Sequence, residues 1–278
     1  MPGIDSHQHF WKYDPIEYPW IKPDWPIRHS FLPPDLKPLL DAAGFSACVA
    51  VQARQTMEET RWLLDLAKAY PFIAGVVGWV DLRASNLASQ LESFGGESKL
   101  VGVRHVVQDE SDDAFMRRGD FMRGIAQLRA YDLTYDILIF PRQLPAAIEL
   151  ARRFPEQPFV LDHLAKPFIK DRTLDPWRTD LGELAKSGNV FCKISGMVTE
   201  AHWGEWKAED FKPYLETVWK SFGEDRLMIG SDWPVCLLSS DYSRTMRLAL
   251  DFLDQFGPAT RAKVLATNSA RFYGLKQR

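Results

Sequence analysis

Eight short apolar runs rich in β-branched residues punctuate the chain, at 4–10, 47–53, 72–80, 100–107, 133–140, 159–165, 190–196 and 227–232. Most are nearly continuous in apolar residues, the pattern of parallel strands covered on both faces. Between them lie stretches of helical period. Residues 58–69 (EETRWLLDLAKA) are expected to place Trp62, Leu63, Leu66 and Ala69 on one face, and 121–131, 144–153, 181–187, 212–222 and 242–256 behave alike. Strands alternating with helices over about 250 residues predict an α/β protein, a single (β/α)8 TIM barrel domain spanning 1–278. A doubly wound sheet would usually show a Gly-rich phosphate turn after its first strand. Here that strand runs into Ser6-His7-Gln8-His9 instead.

One stretch breaks this rhythm. Residues 15–34 hold six prolines together with Tyr18, Trp20 and Trp25, which predicts an ordered Pro/Trp-rich loop over the C-terminal end of the first strand. Barrel active sites lie at that end, so the loop reads equally as a lid or as a plain cover. Composition then removes several classes. Lys+Arg 34 against Asp+Glu 37 gives a net charge of −3, which argues against a nucleic-acid partner. No apolar run approaches the roughly 18 residues of a membrane span. The N-terminus has neither a basic start nor an apolar signal core, so a cytoplasmic protein without a membrane partner is expected. Cys48, Cys192 and Cys236 lie far apart with no C-x-x-C spacing, as reduced thiols would. The charges at Arg117-Arg118, 207–220 and 276–278 read as solvated faces.

Candidate chemistry begins on the first strand. Alternation is expected to put Asp5, His7 and His9 on one face, and two His at i, i+2 can converge on one ion such as zinc. An isolated H-x-H is common by chance; hydrogen-bonded polar residues at a strand end are the plain alternative. The reading gains weight because Asp162-His163 closes the sixth run and Asp232 the eighth. Strand ends far apart in sequence meet over one barrel mouth, so His7, His9, His163 and Asp232 can form a metal shell or an acid–base set. Trp25, His29, Arg104, His105, Lys193 and His202 could bind a polyhydroxylated ring, though each is equally readable as structural. Arg104 and His105 are adjacent, so only one faces inward, with Arg104 favoured. Phe191, Lys193 and Ser195 share one face of the seventh strand, and a lysine there needs a partner because an unpaired buried ammonium is costly. There is no G-x-S-x-G elbow.

The segments DSHQHFW, RHSFLPPDL, GVRHVVQDE, DHLAKP, CKISGM and GSDWPVC resemble the amidohydrolase superfamily. Within it they resemble the amidohydrolase family 2 branch, and there the sugar lactonases of the L-fuconolactonase and L-rhamnono-1,4-lactonase type. The resemblance runs over 4–275 and includes the terminal ATNSARFYGL. It implies a hydrolase of lactone ester bonds that opens L-fucono-1,4-lactone or a similar aldonolactone to the aldonate, in deoxysugar catabolism. It further implies one divalent metal, zinc by preference, among His7, His9, His163 and Asp232. Asp232 would be the general acid/base, and the metal, His163 or Arg104 would polarise the carbonyl.

Two departures from the family pattern matter. Asp136 stands where many relatives have a metal-binding His, and Arg104-His105 where dinuclear relatives have a bridging Lys or Glu. A second, carboxylate-bridged ion is therefore not expected. Metal-independent action also stays open, because a related pyrone-dicarboxylate lactonase works without metal. Two other readings remain. One is hydrolysis of a dicarboxylated lactone or decarboxylation of an aromatic acid, with Arg28, Arg54, Arg104 and Arg142 as anion partners. The other is a non-catalytic protein that holds a metal or a sugar acid. A small sugar lactone is the expected partner, and assembly into a homo-oligomer is left open.

Overall fold

The computed structural model describes residues 2–275; the charges at 276–278 lie outside them. Eight parallel strands follow one another in space in chain order: β1 (Gly3–Gln8), β2 (Phe45–Val51), β3 (Ile73–Gly78), β4 (Leu100–Val106), β5 (Thr134–Leu138), β6 (Phe159–Leu161), β7 (Val190–Ile194) and β8 (Leu227–Ile229). The last meets the first. Ser6 Oγ donates to the Ile229 carbonyl at 2.6 Å, Asp232 N to His7 O at 2.8 Å, and His9 N to Trp233 O at 2.7 Å. The expected (β/α)8 barrel is formed. β6 and β8 stop early, so Asp162-His163 and Asp232 stand on the loops that follow them.

The outer layer is α1 (Pro33–Ala42), α2 (Met57–Ala69), α3 (Leu87–Glu92), α4 (Gly119–Leu128), α5 (Leu144–Arg153), α6 (Trp177–Leu184), α7 (Ala208–Phe222) and α8 (Tyr242–Asp254). Helix starts follow local chemistry. Pro33 and Pro34 open α1, where a missing N–H does no harm, and Thr56 caps α2 by accepting from Glu59 N at 3.1 Å. The face of α2 differs from expectation. Glu59, Thr60, Leu63, Leu64 and Ala67 are buried, Trp62 and Leu66 are half-buried and Ala69 is exposed. The rotation has a polar cause: Ala53 N, Arg54 N and Tyr18 Oη draw Glu59 inward, and the backbone of Trp79 does the same for Thr60.

Two apolar clusters result. The larger joins the outer faces of the strands to the helices. The smaller includes Ile4, Val49, Val160 and Met228 together with Phe272, Tyr273 and Leu275. These last three come from a C-terminal segment made of α9 (Pro258–Ala262), a π-helical turn (Lys263–Thr267) and α10 (Asn268–Phe272). The segment closes the N-terminal end of the barrel, with Asn268 Nδ2 donating to the Leu227 carbonyl at 2.7 Å.

At the other end the Pro/Trp-rich loop is ordered. Trp11 and Phe31 pair as a bridge, Phe31 packs edge-on to Trp233 at 5.1 Å, and Tyr18 Oη donates to Glu59 at 3.1 Å. It thus runs from α2 to the loop after β8, beside the strands' C-terminal ends. The three cysteines are free and buried. Among the described residues no helix is long and apolar enough to cross a membrane.

Candidate active site

β1 and the residue just beyond it deliver His7 and His9 by breaking alternation after Asp5. Its register against β2 slips between Asp5 and Gln8, a β-bulge that re-aims side chains. His7 and His9 converge, whereas Asp5 accepts from Ser231 Oγ (2.6 Å), Ser231 N (2.9 Å) and Tyr242 Oη of α8 (3.2 Å). The expectation that Asp5 shares a face with His7 and His9 is thereby corrected. β8 approaches closely because residue 230 is glycine: a Cβ there would lie 2.6 Å from His7 Cβ.

His163 and Asp232 both have left-handed backbone, φ 53° and 56°. His163 begins four consecutive such residues ending at Lys166 (φ 51°), each costing about 1–2 kcal/mol for an L-residue. Local bonds hold this turn: Trp177 Nε1 donates to Leu164 O at 2.6 Å and Lys166 N to His163 O at 2.7 Å. Gly196 (φ 60°) lets β7's loop touch the His163 ring, where a Cβ would sit 2.4 Å from Nδ1.

The side chains gather tightly. His7 Nε2 is 3.3 Å from His9 Nε2 and 3.8 Å from Asp232 Oδ1, and His9 Nε2 is 3.2 Å from the same oxygen. Three ligands of a tetrahedral site with bonds near 2.05 Å would be separated by about 3.3 Å. His163 Nε2 lies 3.8 Å from Asp232 Oδ1 but groups with His7 and Asp162 rather than with this trio. The ring orientations suit this. His9 Nδ1 lies 2.8 Å from the Val51 carbonyl and His7 Nδ1 3.2 Å from Asp162 Oδ1. A proton on each Nδ1 would leave both Nε2 lone pairs facing the cluster, where Arg104 Nη1 also stands 3.3 Å from His7 Nε2, with Lys193 Nζ 3.1 Å from His7 Nδ1. His163 is fixed through Nδ1 by Ser195 Oγ at 2.9 Å. The donor set fits one divalent ion.

Beneath this cluster lies a charged layer. Asp162 is bound by Arg104 Nη1 (3.0 Å) and Lys193 Nζ (2.9 Å), and Lys193 also meets Asp136 Oδ2 at 2.5 Å. Arg104 Nη2 donates to the Gln52 carbonyl at 2.6 Å, and Tyr273 Oη to Asp136 Oδ2 at 2.8 Å. Burial shapes the ionisation. It pushes His163 down to about 4 and His7 well below the usual imidazole range, keeping both neutral as ligands require. It pushes Asp136 up to about 6 despite Lys193. In Asp162 the same burial is outweighed by Lys193, His7 and Arg104, and in Asp232 by the three histidines. Both carboxyls are held well below the ordinary range.

Of the residues singled out by sequence, His7, His9, His163 and Asp232 meet, with Arg104 and Lys193 directly behind them. His105 does not join them. Since Arg104 takes the inward position on β4, His105 turns outward, stacked on Phe115 at 4.9 Å and bonded to Glu110 at 2.7 Å. His29 is exposed, its ring 4.0 Å from Phe31, and His202 is exposed. Neither makes a contact with the cluster among the described residues. Trp25 packs edge-on to Trp203 at 5.7 Å, joining the N-terminal loop to the loop after β7. Sequence reasoning missed Asp162 as a site residue, although it precedes His163 at a strand end, and Tyr273, for which no pattern gave a signal.

A family profile described as amidohydrolase matches residues 4–275. The chain belongs to the amidohydrolase family. This amidohydrolase is 42% identical to the L-fucono-1,5-lactonase of Burkholderia multivorans, over 99% of this chain and 96% of that one. The L-fucono-1,5-lactonase of Burkholderia ambifaria is 39% identical, over 97% and 94%. A crystal structure of an amidohydrolase from Burkholderia multivorans with bound zinc superposes with a TM-score of 0.95, at 42% identity, covering 99% of this amidohydrolase and 100% of that chain.

Proposed function

We propose that this amidohydrolase opens sugar-acid lactones to aldonates. The observation that carries the reading is the convergence of His7, His9, His163 and Asp232 at the C-terminal ends of β1, β6 and β8. L-Fucono-1,5-lactone is the substrate suggested by the names of the two relatives. The five-membered L-fucono-1,4-lactone favoured by the sequence reading is the alternative ring.

The residues divide the work as follows. His7, His9 and Asp232, with His163 beside them, would hold one divalent ion, zinc by analogy with the related structure, which when bound polarises a carbonyl and acidifies water. Asp232 meets all three imidazoles through Oδ1, leaving Oδ2 to take a proton from the attacking water. Water oxygen bonds to the lactone carbon, the bond from that carbon to the ring oxygen breaks, and Asp232 returns the proton to the departing alkoxide. The new carboxylic acid then releases a proton near neutral pH. Arg104 and Lys193 occupy the space around Asp162 where a second ion would need room, so one metal per chain is expected.

The reading with anionic substrates loses support because its arginines are engaged. Arg28 bonds Tyr13, Arg54 pairs with Glu17, Arg104 with Asp162 and Arg142 with Asp113. The test is proton release from a panel of 1,4- and 1,5-aldonolactones and pyrone dicarboxylates, with protein as purified, after chelator dialysis and after zinc return. Acid release from hydroxylated lactones above the blank, lost on dialysis and restored by zinc with one ion bound per chain, is expected. Spontaneous rates throughout, or a preference for the dicarboxylate, would overturn the proposal.

A further inference from the structure

Two charged side chains beside the cluster have no role in the chemistry above. Lys166 ends the left-handed turn that begins at His163, three residues on. Glu200 lies on the neighbouring loop after β7, four residues beyond the Gly196 that touches the His163 ring. The two loops are stitched together where Lys170 N donates to the Glu200 carbonyl at 2.9 Å. Lys166 Nζ stands 3.9 Å from Glu200 Oε1 and 5.5 Å from the centre of the Phe140 ring at the end of β5.

That arrangement is unfinished as a structural ion pair. At 3.9 Å the two groups are beyond hydrogen-bonding distance, yet their side chains are only 18% and 21% exposed. Among the described residues Lys166 Nζ makes no hydrogen bond, so its donors are free to meet a ligand. Thr199 Oγ1 beside it donates to the Gly196 carbonyl at 2.9 Å, and burial pushes the Glu200 carboxyl up despite Lys166, with Asp232 adding to the rise. Lys166 likewise lies close enough to His163 to affect its charge. Both groups therefore stand on the loops after β6 and β7, at the reacting end of the barrel, and neither is committed to a direct hydrogen bond with the other.

We propose that Lys166 and Glu200 read neighbouring hydroxyls of the substrate ring and set the preference for polyhydroxylated lactones. The inference rests on the lactonase reading. A ring lying against the pair receives a hydrogen bond from Nζ at one hydroxyl and donates to the carboxylate from the next, with Phe140 flanking the lysine. A site built to bond hydroxyls discriminates strongly against a ring that lacks them, because its polar groups are then left unpaired.

The experiment compares kcat/KM for L-fucono-1,5-lactone and for δ-valerolactone, the same ring without hydroxyls, in the wild type, Lys166→Met, Glu200→Gln and Lys166→Arg. The ratio of the two values is expected to fall by about 30-fold in each of the first two variants, mainly through KM, in line with the loss of a hydrogen bond to a charged group. Lys166→Arg should recover part of it. An unchanged ratio, with both substrates equally affected or equally spared, would overturn the proposal. Calorimetric titration with L-fucose, a hydroxylated ring with no ester to open, separates this from failure of the lactonase reading. Binding by the wild type that is lost in Lys166→Met/Glu200→Gln supports the pair even if no lactone is turned over. Equal binding by both proteins, or none by the wild type, contradicts it.

Discussion

At one end of the barrel, Ile4, Val49, Val160 and Met228 meet Phe272, Tyr273 and Leu275 in a single apolar cluster. At the other, the same strands and the loops after them present His7, His9, Arg104, Asp162, Lys193 and Asp232, nearly all buried. Apolar burial stabilises by about 25 cal/mol per Å², whereas buried ion pairs are at best weak contributors to stability. The first end therefore serves the fold, and the second is kept for what it does. They join at Lys193, whose ammonium links Asp162 under His7 to Asp136, itself bonded by Tyr273 from the closing segment.

The largest effect that separates the two ends is expected at Asp232. Asp232→Asn removes the proton carrier and should lower kcat by about 10²–10⁴-fold, read by proton release, while the protein stays folded. Lys193→Met should break the division, because it leaves Asp136 buried without a cation and Asp162 with Arg104 alone. A loss of about 3–5 kcal/mol of unfolding free energy is expected, measured by urea titration, together with loss of activity. Phe272→Ala removes a buried ring of the closing segment at a cost of about 3–5 kcal/mol, while turnover per folded molecule should hold within about twofold, as for a residue remote from the chemistry.

The smallest effect sharpens the comparison at Asp5, which shares a strand with His7 but faces the helix layer. Burial raises its carboxyl to about 6 from 3.8 despite bonds from Ser231 and Tyr242. A raised carboxyl binds its proton more tightly folded than unfolded, so this group's contribution declines as pH rises from about 4 to about 6 and stays low above that. The unfolding free energy of the wild type relative to Asp5→Asn should be greater at pH 4 than at pH 7, by about 2 kcal/mol for a shift of this size. A difference independent of pH would refute that account of Asp5.

The barrel was legible because parallel strands covered on both faces leave unbroken apolar runs, and the cluster because His9, His163 and Asp232 close such runs. The same continuity hid the inward and outward faces: Val49 and Cys48 belong to opposite sides of one wall yet look alike in sequence. Asp5 was misplaced because a bulge leaves no mark in the residue pattern. α1 was missed because its two opening prolines read as the end of the loop. The left-handed turn that carries His163 and Lys166 is built from Leu164 and Ala165, residues that give no local hint of it.

The most direct test of this division is to measure kcat on L-fucono-1,5-lactone and the unfolding free energy for Asp232→Asn and Phe272→Ala side by side. The account expects opposite outcomes: Asp232→Asn folded and nearly inactive, Phe272→Ala destabilised and, where folded, active. Retained turnover in Asp232→Asn, or a loss of turnover in folded Phe272→Ala as large as that in Asp232→Asn, would contradict it.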